Sequence, residues 1–424
     1  MTPKYQLRCT GGGEIVRDVT RLSCASGHDA LLRTGYRGRR LRLARYPGMY
    51  RYLAWLPVDR PLLPSGGPVT FVHKGLSREL GLPGLVISFS GYFPEQGAHL
   101  TTGSFKELEA SPTMQRLQEL GGTIPVLASA GNTGRAFAEL SARCRRPVVI
   151  VVPEQARDRL WTTEPASDIF LVTVTGDYSD AIAVSGLLAK VPGCMPEGGA
   201  RNVARRDGMG TVLLDAAVQC GRMPDHYFQA VGSGTGAIAA WEAAIRLRAD
   251  GRYGRDLPRL HCALNEPFTP LVSAWRERRR TIIPDRDMPD AGRAVRDVMA
   301  DVLTNRNPPY GISGGLFDAL ADTNGLMYSV TNAEGRSAMT MVRDTLGIDL
   351  DPAAAVATAA LIQAVEAGTV NVSDRILLNL TGGGYERIRE DFTLWPVEPA
   401  ITVRPDEPGN ELTVMLREWM KRYG

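Results

Sequence analysis

An α/β protein with open parallel sheets is what this sequence predicts, and three observations carry the prediction. Apolar strand-like runs alternate with helical ones from about residue 80 onward, and buried strands that alternate with helices belong to parallel sheets covered on both faces. Several of these runs end in loops of small residues, the place where open α/β sheets bind ligands. The length, 424 residues, is sufficient for two or three domains.

Seven strands are read in order: GLVISF (84–89), IPVLAS (124–129), PVVIVVP (147–153), DIFLVTV (168–174), HYFQAV (226–231), RLHCALN (259–265) and RILLNL (375–380). Each is short, apolar and bounded by turn formers. Helical patterns lie between them at Gly210–Cys220, Ala237–Arg248 and Ala353–Ala367, with a last helix expected over Leu412–Arg422. Residues 1–60, rich in Gly, Arg and Tyr, predict short strands and turns rather than helices.

Composition narrows the function classes. Apolar content is 44% and charged content 22%, with a net charge of only +3, so no bulk attraction to nucleic acid is expected. GYRGRRLRLARYPGMYRY (35–52) interleaves arginine with tyrosine as single-strand RNA binders do; a segment packed on the domain is the reading preferred here. No run of ~18 apolar residues suggests a membrane span, and MTPKYQLRCTGGGE lacks the apolar stretch of a signal peptide; a cytoplasmic protein without membrane or nucleic-acid partners is expected. The six cysteines are scattered with no CxxC. Cys9, Cys24 and His28 offer three ligands, but a structural zinc site takes four, so no metal is expected.

Three loops carry the chemistry. Gly232-Ser233-Gly234-Thr235-Gly236 follows a strand and opens a helix, which makes a phosphate cradle; a tight turn without a ligand is the alternative. The spacing is GxGxG, so a dinucleotide site is the weaker reading. Ser129-Ala130-Gly131-Asn132-Thr133-Gly134 joins strand to helix in the same way. Its N–H groups suit a carboxylate, and the Asn132 amide suits a phenolate-like oxygen, unless Asn132 or Thr133 serves only as a cap. Thr381 ends a strand in LNLTGGG, where a hydroxyl can meet a ring nitrogen without charging it. Lys106, in TTGSFKELEASP, is one of only five lysines, whereas the other 44 of the 49 basic residues are arginine. The first turn of a helix disfavours a cation, but an amine that must shed its proton gains there, and only an amine forms an imine. A solvated surface lysine is the alternative.

Together GSFK, the S-x-GNTG loop, GSGTG and a late strand ending in Thr resemble the fold-type II pyridoxal-phosphate enzymes. Tyr46-Pro-Gly-Met-Tyr-Arg-Tyr52, TTGSFK and Arg206-Asp-Gly-Met-Gly-Thr211 are similar to the threonine synthase branch, and the resemblance runs from about 40 to 385. Departures at Glu107-Leu108, Ala130 and Arg135, with Tyr92–Ala98 before the lysine loop, resemble a subgroup of that branch that makes L-cysteate from O-phosphoserine and sulfite on a route to coenzyme M. Threonine synthase chemistry on O-phosphohomoserine, and a cysteine-forming reaction with sulfide, are the alternatives.

The resemblance implies pyridoxal 5'-phosphate bound as an imine to Lys106. Asn132 would meet its 3-oxygen, Gly232, Ser233, Gly234, Thr235 and Gly236 its phosphate, and Thr381 its ring nitrogen. Ser129, Ala130, Gly131 and Thr133 would take the substrate carboxylate. Arg135, Arg205 and Arg206 are candidates for the phosphate or sulfite, and His99 for an acid assisting the departing phosphate. It further implies a homodimer of two α/β domains with the cofactor in the cleft: a small mobile one at 107–213, a large one from 61–106 with 214–424 that includes the C-terminal helix, and an N-terminal appendage at 1–60.

Overall fold

The computed structural model describes residues 3–17, 20–129, 131–406 and 409–423. Among them, two large sheets form the framework. The first has six strands in the order Leu326–Val330, Arg259–Asn265, His226–Ala230, Ile376–Leu380, Leu85–Phe89, Val69–Phe71. All are parallel except the last, which pairs antiparallel with Leu85–Phe89. The second has five parallel strands in the order Cys194–Pro196, Ile124–Ala128, Val148–Pro153, Ile169–Val174, Ile401–Val403. Central strands such as Val148–Pro153 and Ile376–Leu380 are buried along their whole length, as parallel strands covered on both faces must be.

All seven strands read from the sequence are present within a residue of their expected ends. Short or half-buried strands at sheet edges escaped the reading: Val69–Phe71, Cys194–Pro196, Leu326–Val330 and Ile401–Val403. Two helices start earlier than their apolar patterns, Val203–Cys220 and Thr235–Asp250, because Arg205, Arg206 and Gly208 in one and Gly236 in the other interrupt the apolar run; Pro352–Glu366 lies within a residue of its expected ends.

The C-terminal segment corrects the expected grouping with the six-stranded sheet. Ile401–Val403 pairs with Val172–Val174, and the helix Gly409–Met420 buries Leu412, Leu416 and Trp419 in the core of the five-stranded sheet. The Trp419 ring lies 5.5 Å from that of Phe170. The open edge of the smaller sheet accepts a strand from the far end of the chain, and linear order does not encode which edge is open.

Near the N-terminus a three-stranded antiparallel sheet orders Ile15–Val16, Tyr5–Cys9 and Leu32–Tyr36. The tyrosine-rich stretch then forms short 3-10 turns over Gly48–Trp55 that bury Met49, Tyr50, Tyr52 and Trp55. Tyr50 shares a 2.9 Å hydrogen bond with Ser111, and Tyr52 donates to Asp215 at 2.5 Å. These rings pack into the main core. Gly48 has φ +58, and a Cβ there would stand 2.4 Å from Gly66 O, so the turn admits glycine alone.

Within the six-stranded sheet a row of polar rings is buried among apolar strands. His226 Nδ1 lies 2.9 Å from His261 Nε2, and His261 Nδ1 lies 2.8 Å from the Tyr328 hydroxyl. Burial, then the nearby charges of His226 and Arg259, push the His261 pKa down to about 2. Below about pH 6.5 the unfolded chain therefore binds a proton at His261 that the folded chain refuses, and stability falls as pH falls. Urea unfolding followed downward from neutral pH is expected to lose up to ~1.4 kcal/mol per pH unit to this group. His261→Gln should flatten that slope by close to one proton, and an unchanged slope would refute the assignment.

Candidate active site

Lys106 opens the helix Lys106–Glu119, and the loop before it is clamped to the end of the strand Ile376–Leu380. Phe105 N donates to Thr381 O at 2.9 Å, Gly383 N donates to Gly103 O at 2.9 Å, and Ser104 bridges Gly382. Gly103 has φ +66, and a Cβ on it would stand 2.4 Å from the Tyr385 ring, so glycine is required for the loop to lie this close. These contacts place Lys106 and Thr381, 275 residues apart in the chain, on one wall.

The Lys106 side chain is 21% exposed, enough for a small molecule to reach it, and its Nζ lies 3.3 Å from Glu109 Oε2. Its pKa is held below the ordinary lysine value, chiefly by burial and further by the neighbouring Arg205 charge, against the opposing pull of Glu109. Glu109 is fully buried. It also accepts Thr133 Oγ1 at 3.0 Å and pairs with Arg205 Nε at 2.9 Å, while Arg205 Nη1 reaches Glu197 at 2.9 Å. The sequence reading missed Glu109 and Glu197; the signal for Glu109 was its position one helical turn after the lysine. Arg205 comes from the helix Val203–Cys220, which crosses the lysine helix at Gly208. A Cβ on Gly208 would stand 2.0 Å from Leu108 O, the carbonyl whose helical partner would be the N–H that Pro112 lacks.

The loop after the strand Ile124–Ala128 supplies the facing wall. Ser129 Oγ accepts from Gly134 N at 2.8 Å and from Gly131 N at 3.2 Å, so this hydroxyl shapes the loop. Ala130 lies outside the described residues. Asn132 Nδ2 donates to Asp351 at 3.1 Å, and its Oδ1 accepts from Arg135 Nη2 at 2.7 Å. Arg135 also donates to Thr102 O and to the Tyr385 hydroxyl, each at 3.0 Å, and its guanidinium lies between the Trp161 and Tyr385 rings. Tyr385 in turn donates to Asp351 at 2.9 Å. The sequence reading singled out Asn132 and Arg135 but not Asp351, Tyr385 or Trp161, which come from distant segments without a motif.

Gly232–Gly236 follows the strand His226–Ala230 and opens the helix Thr235–Asp250 at Gly234, which has φ +77 and offers no side-chain cap. Ser233 and Thr235 share a 2.7 Å hydroxyl contact, and a Cβ on Gly236 would stand 2.2 Å from Gln229 Nε2. The two glycine loops converge on one segment. A Cβ on Gly131 would lie 3.2 Å from Val302 Cγ1, and one on Gly232 would lie 3.1 Å from Val302 O.

Two sequence candidates sit elsewhere. Arg206 points away from Lys106 into a fully buried lock, donating to Glu242 at 3.0 Å and to the carbonyls of Ala200 and Leu32. A helix turns by 100° per residue, so neighbouring arginines face different partners. His99 stands exposed on the hairpin of Tyr92–Phe93 and Ala98–His99. It lines a cavity of about 580 Å³ with Arg51, Tyr92, Arg143 and Asp215, which neither Lys106, Asn132 nor the Gly232 loop reaches.

Such an arrangement, a half-buried lysine between two strand-end glycine loops, defines an enzyme of the pyridoxal-phosphate class. Residues 94–382 match the family model of pyridoxal-phosphate dependent enzymes, and the chain belongs to that family. The fold is similar to that of a pyridoxal 5'-phosphate-dependent aspartate racemase, with a TM-score of 0.56 and 18% identity over 76% of this chain and 92% of that one. Within the family, the chain is 69% identical to the cysteate synthase of Methanoregula boonei over the whole of both chains. It is 54% identical to the cysteate synthase of Methanoculleus marisnigri over 99% of this chain and 98% of that one.

The buried charges make two quantitative expectations. Glu109→Ala leaves the Arg205 guanidinium with Glu197 alone of its two carboxylates and should cost about 3–5 kcal/mol in urea unfolding, whereas adding Arg205→Met to Glu109→Ala should recover more than about 1 kcal/mol of that loss. Additive losses in the pair would show that the two groups do not act together. Gly208→Ala should push the two helices apart at a cost of about 1–3 kcal/mol, read from the same unfolding curves.

Proposed function

We propose that this enzyme replaces the phosphate of O-phospho-L-serine by sulfite, giving L-cysteate and inorganic phosphate. One observation carries the chemistry: an amine at Lys106 whose pKa burial depresses, on a loop clamped to Thr381. The names of the relatives at 69% and 54% identity supply the product.

The residues fit the cofactor. Gly234 has no side chain to cap the helix; Ser233 Oγ accepts from Thr235 N at 3.3 Å, and the N–H groups of Gly236 and Ala237 follow in the first turn, where a phosphate is favoured. Ser104 Oγ, two residues before the lysine, is buried with no partner among the described residues. Pyridoxal phosphate supplies an electron sink for charge developing at the substrate Cα. Gly232–Gly236 would hold its phosphate, Asn132 would meet its 3-oxygen, and the Thr381 hydroxyl would meet the ring nitrogen without charging it.

The chain's own groups do the rest. Backbone N–H groups of the Ser129–Thr133 loop hold the substrate carboxylate. Lys106 Nζ, with its lowered pKa, removes the Cα proton and later returns it to the same carbon. Arg135 steadies the phosphate as it leaves Cβ and then the sulfite that adds there; its Nη1 makes no hydrogen bond among the described residues, and a guanidinium matches both oxyanions. Arg205 acts on the amine through Glu109 rather than on substrate. Closure of the five-stranded half over the cleft is proposed with this, supported by the 2.5 Å pair of Arg159 and Asp301 across the two halves. A cytoplasmic setting is part of the same reading; no helix among the described residues is long and apolar enough to cross a membrane.

Mass spectrometry after mixing the protein and cofactor with O-phosphoserine and sulfite should reveal cysteate. Phosphate release from O-phosphohomoserine should be the slower reaction, and threonine without cysteate would overturn the proposal. Lys106→Ala should lose the borohydride-trapped adduct and more than about 100-fold in rate.

A further inference from the structure

Four potential ligands meet in the N-terminal sheet, away from the cleft. Cys9 ends the strand Tyr5–Cys9, Glu14 precedes Ile15–Val16, and Cys24 and His28 lie on the loop that leads to Leu32–Tyr36. One ligand atom from each lies within 4.8 Å of the others. Cys9 Sγ is 3.7 Å and Cys24 Sγ 3.5 Å from His28 Nδ1, and Glu14 Oε1 is 3.0 Å from the same nitrogen. Cys24 Sγ also lies 2.7 Å from Glu14 Oε1.

A ring nitrogen offers one proton or one lone pair, so hydrogen bonding does not account for three polar atoms converging on it. A tetrahedral ion does. With Zn–S near ~2.3 Å and Zn–N near ~2.0 Å, a sulfur and a nitrogen on one zinc stand about 3.5 Å apart, close to the two sulfur–nitrogen separations seen; the 2.7 Å contact of Cys24 with Glu14 is shorter than two ligands of one zinc allow and must open when the ion binds. The turn between the first two ligands is shaped for the purpose. Cys9 N donates to Glu14 O and Gly13 N to Cys9 O, each at 2.9 Å. A Cβ on Gly12 would stand 2.2 Å from Glu14 Oε2 and 2.5 Å from His28 Cε1, so the cluster closes only over a glycine.

The sheet meets the body of the protein through Thr34 and Tyr36 on Asp207 and through Arg206 on Leu32 O. Its own buried cluster is Leu7, Cys9, Val16, Cys24, Ala30, Leu32 and Val203, and so small a core ordinarily needs a staple. Two thiolates with an imidazole and a carboxylate select zinc over the harder divalent ions, and four protein ligands close the coordination sphere, as in structural sites.

We propose that Cys9, Glu14, Cys24 and His28 hold a structural zinc ion. The sequence reading expected no metal because it found only three ligands; folding brings Glu14 in as the fourth. Binding converts two thiols to thiolates and releases their protons to solvent. The ion secures the start of the helix that carries Arg205: Val203 packs in the zinc cluster's core, and Arg201 pairs with Asp29 at 2.9 Å.

The test uses the full chain, purified under reducing conditions without chelator. Elemental analysis should give about one zinc per chain, and Cys9→Ser and Cys24→Ser less than about a tenth of that. His28→Ala, at an exposed position, should keep the circular dichroism of the parent yet lower zinc affinity at least about tenfold. Chelator treatment of the parent should lower its melting temperature by several degrees, with zinc restoring it, and cobalt should give the visible absorption of a tetrahedral thiolate site. The proposal is overturned if the parent takes up less than about a tenth of an equivalent on zinc titration. It is equally overturned if the purified chain carries a Cys9–Cys24 disulfide, or if His28→Ala and Glu14→Gln bind zinc as tightly as the parent.

Discussion

A carboxylate with no exposed surface, Glu109, is the constraint around which the active site is arranged. Removing an ion from water is expensive unless its partners are close and well oriented, and Glu109 draws its partners from three helices. Lys106 stands a turn before it, Thr133 faces it from the helix Asn132–Cys144, and Arg205 reaches it from Val203–Cys220. Glu197 balances the second face of Arg205, so two cations and two anions share the site. The four charges balance while Lys106 is protonated; burial, helped by the Arg205 charge, lowers the Lys106 pKa, and Glu109 opposes that shift. The approach of the third helix depends on two residues with no polar chemistry: Gly208, with no side chain at the crossing, and Pro112, whose missing N–H leaves Leu108 O free of a helical partner.

A second network ties the two sheets across the cleft. Asp351 caps the helix Pro352–Glu366 through Ala353 N and also accepts from Asn132 and Tyr385. Arg135 joins Asn132, Tyr385 and the carbonyl of Thr102. The Asn132 amide is thereby oriented: its oxygen receives the guanidinium and its nitrogen faces the carboxylate. Since Tyr385 directly follows the glycines after Thr381 and its ring covers Gly103, one side chain couples the lysine loop, the strand-end loop and the loop of Asn132. A preorganised site of this kind gives each hydrogen bond its orientation before substrate arrives.

The sequence made the framework legible where the physics is local. Buried parallel strands are apolar along their length, so Val148–Pro153 and Arg259–Asn265 were found within a residue of their ends. The strand-end glycine loops and Lys106 were equally visible, because glycine and a rare lysine mark backbone and chemical demands. Edge strands such as Ile401–Val403 were not, since three residues carry no period and their partner lies more than 220 residues away. Glu109, Asp351 and Tyr385 were missed for a related reason: a buried polar residue is defined by partners from other segments. Arg205 and Arg206 show the limit most sharply. They are adjacent and identical in type, yet one joins the amine's charge cluster and the other locks the N-terminal sheet through Leu32 O.

That division explains why so arginine-rich a chain retains a lysine in the cleft. Arg205 and Arg206 are buried, and Arg143 and Arg246 largely so, against carboxylates, and a guanidinium keeps its charge there at any ordinary pH. Such residues serve as permanent struts. Lys4, the other lysine with a pKa lowered by burial, donates to the carbonyls of Leu53 and Val58 and is committed to packing. Lys106 alone combines a depressed pKa with an open approach and a place on the wall shared with Thr381. An arginine at 106 could satisfy Glu109 as well as lysine does, but it could neither give up its proton to attack a carbonyl carbon nor take one from a substrate. The selection for lysine there is chemical rather than structural, and the surrounding arginines supply the fixed charge that lets one cation be labile.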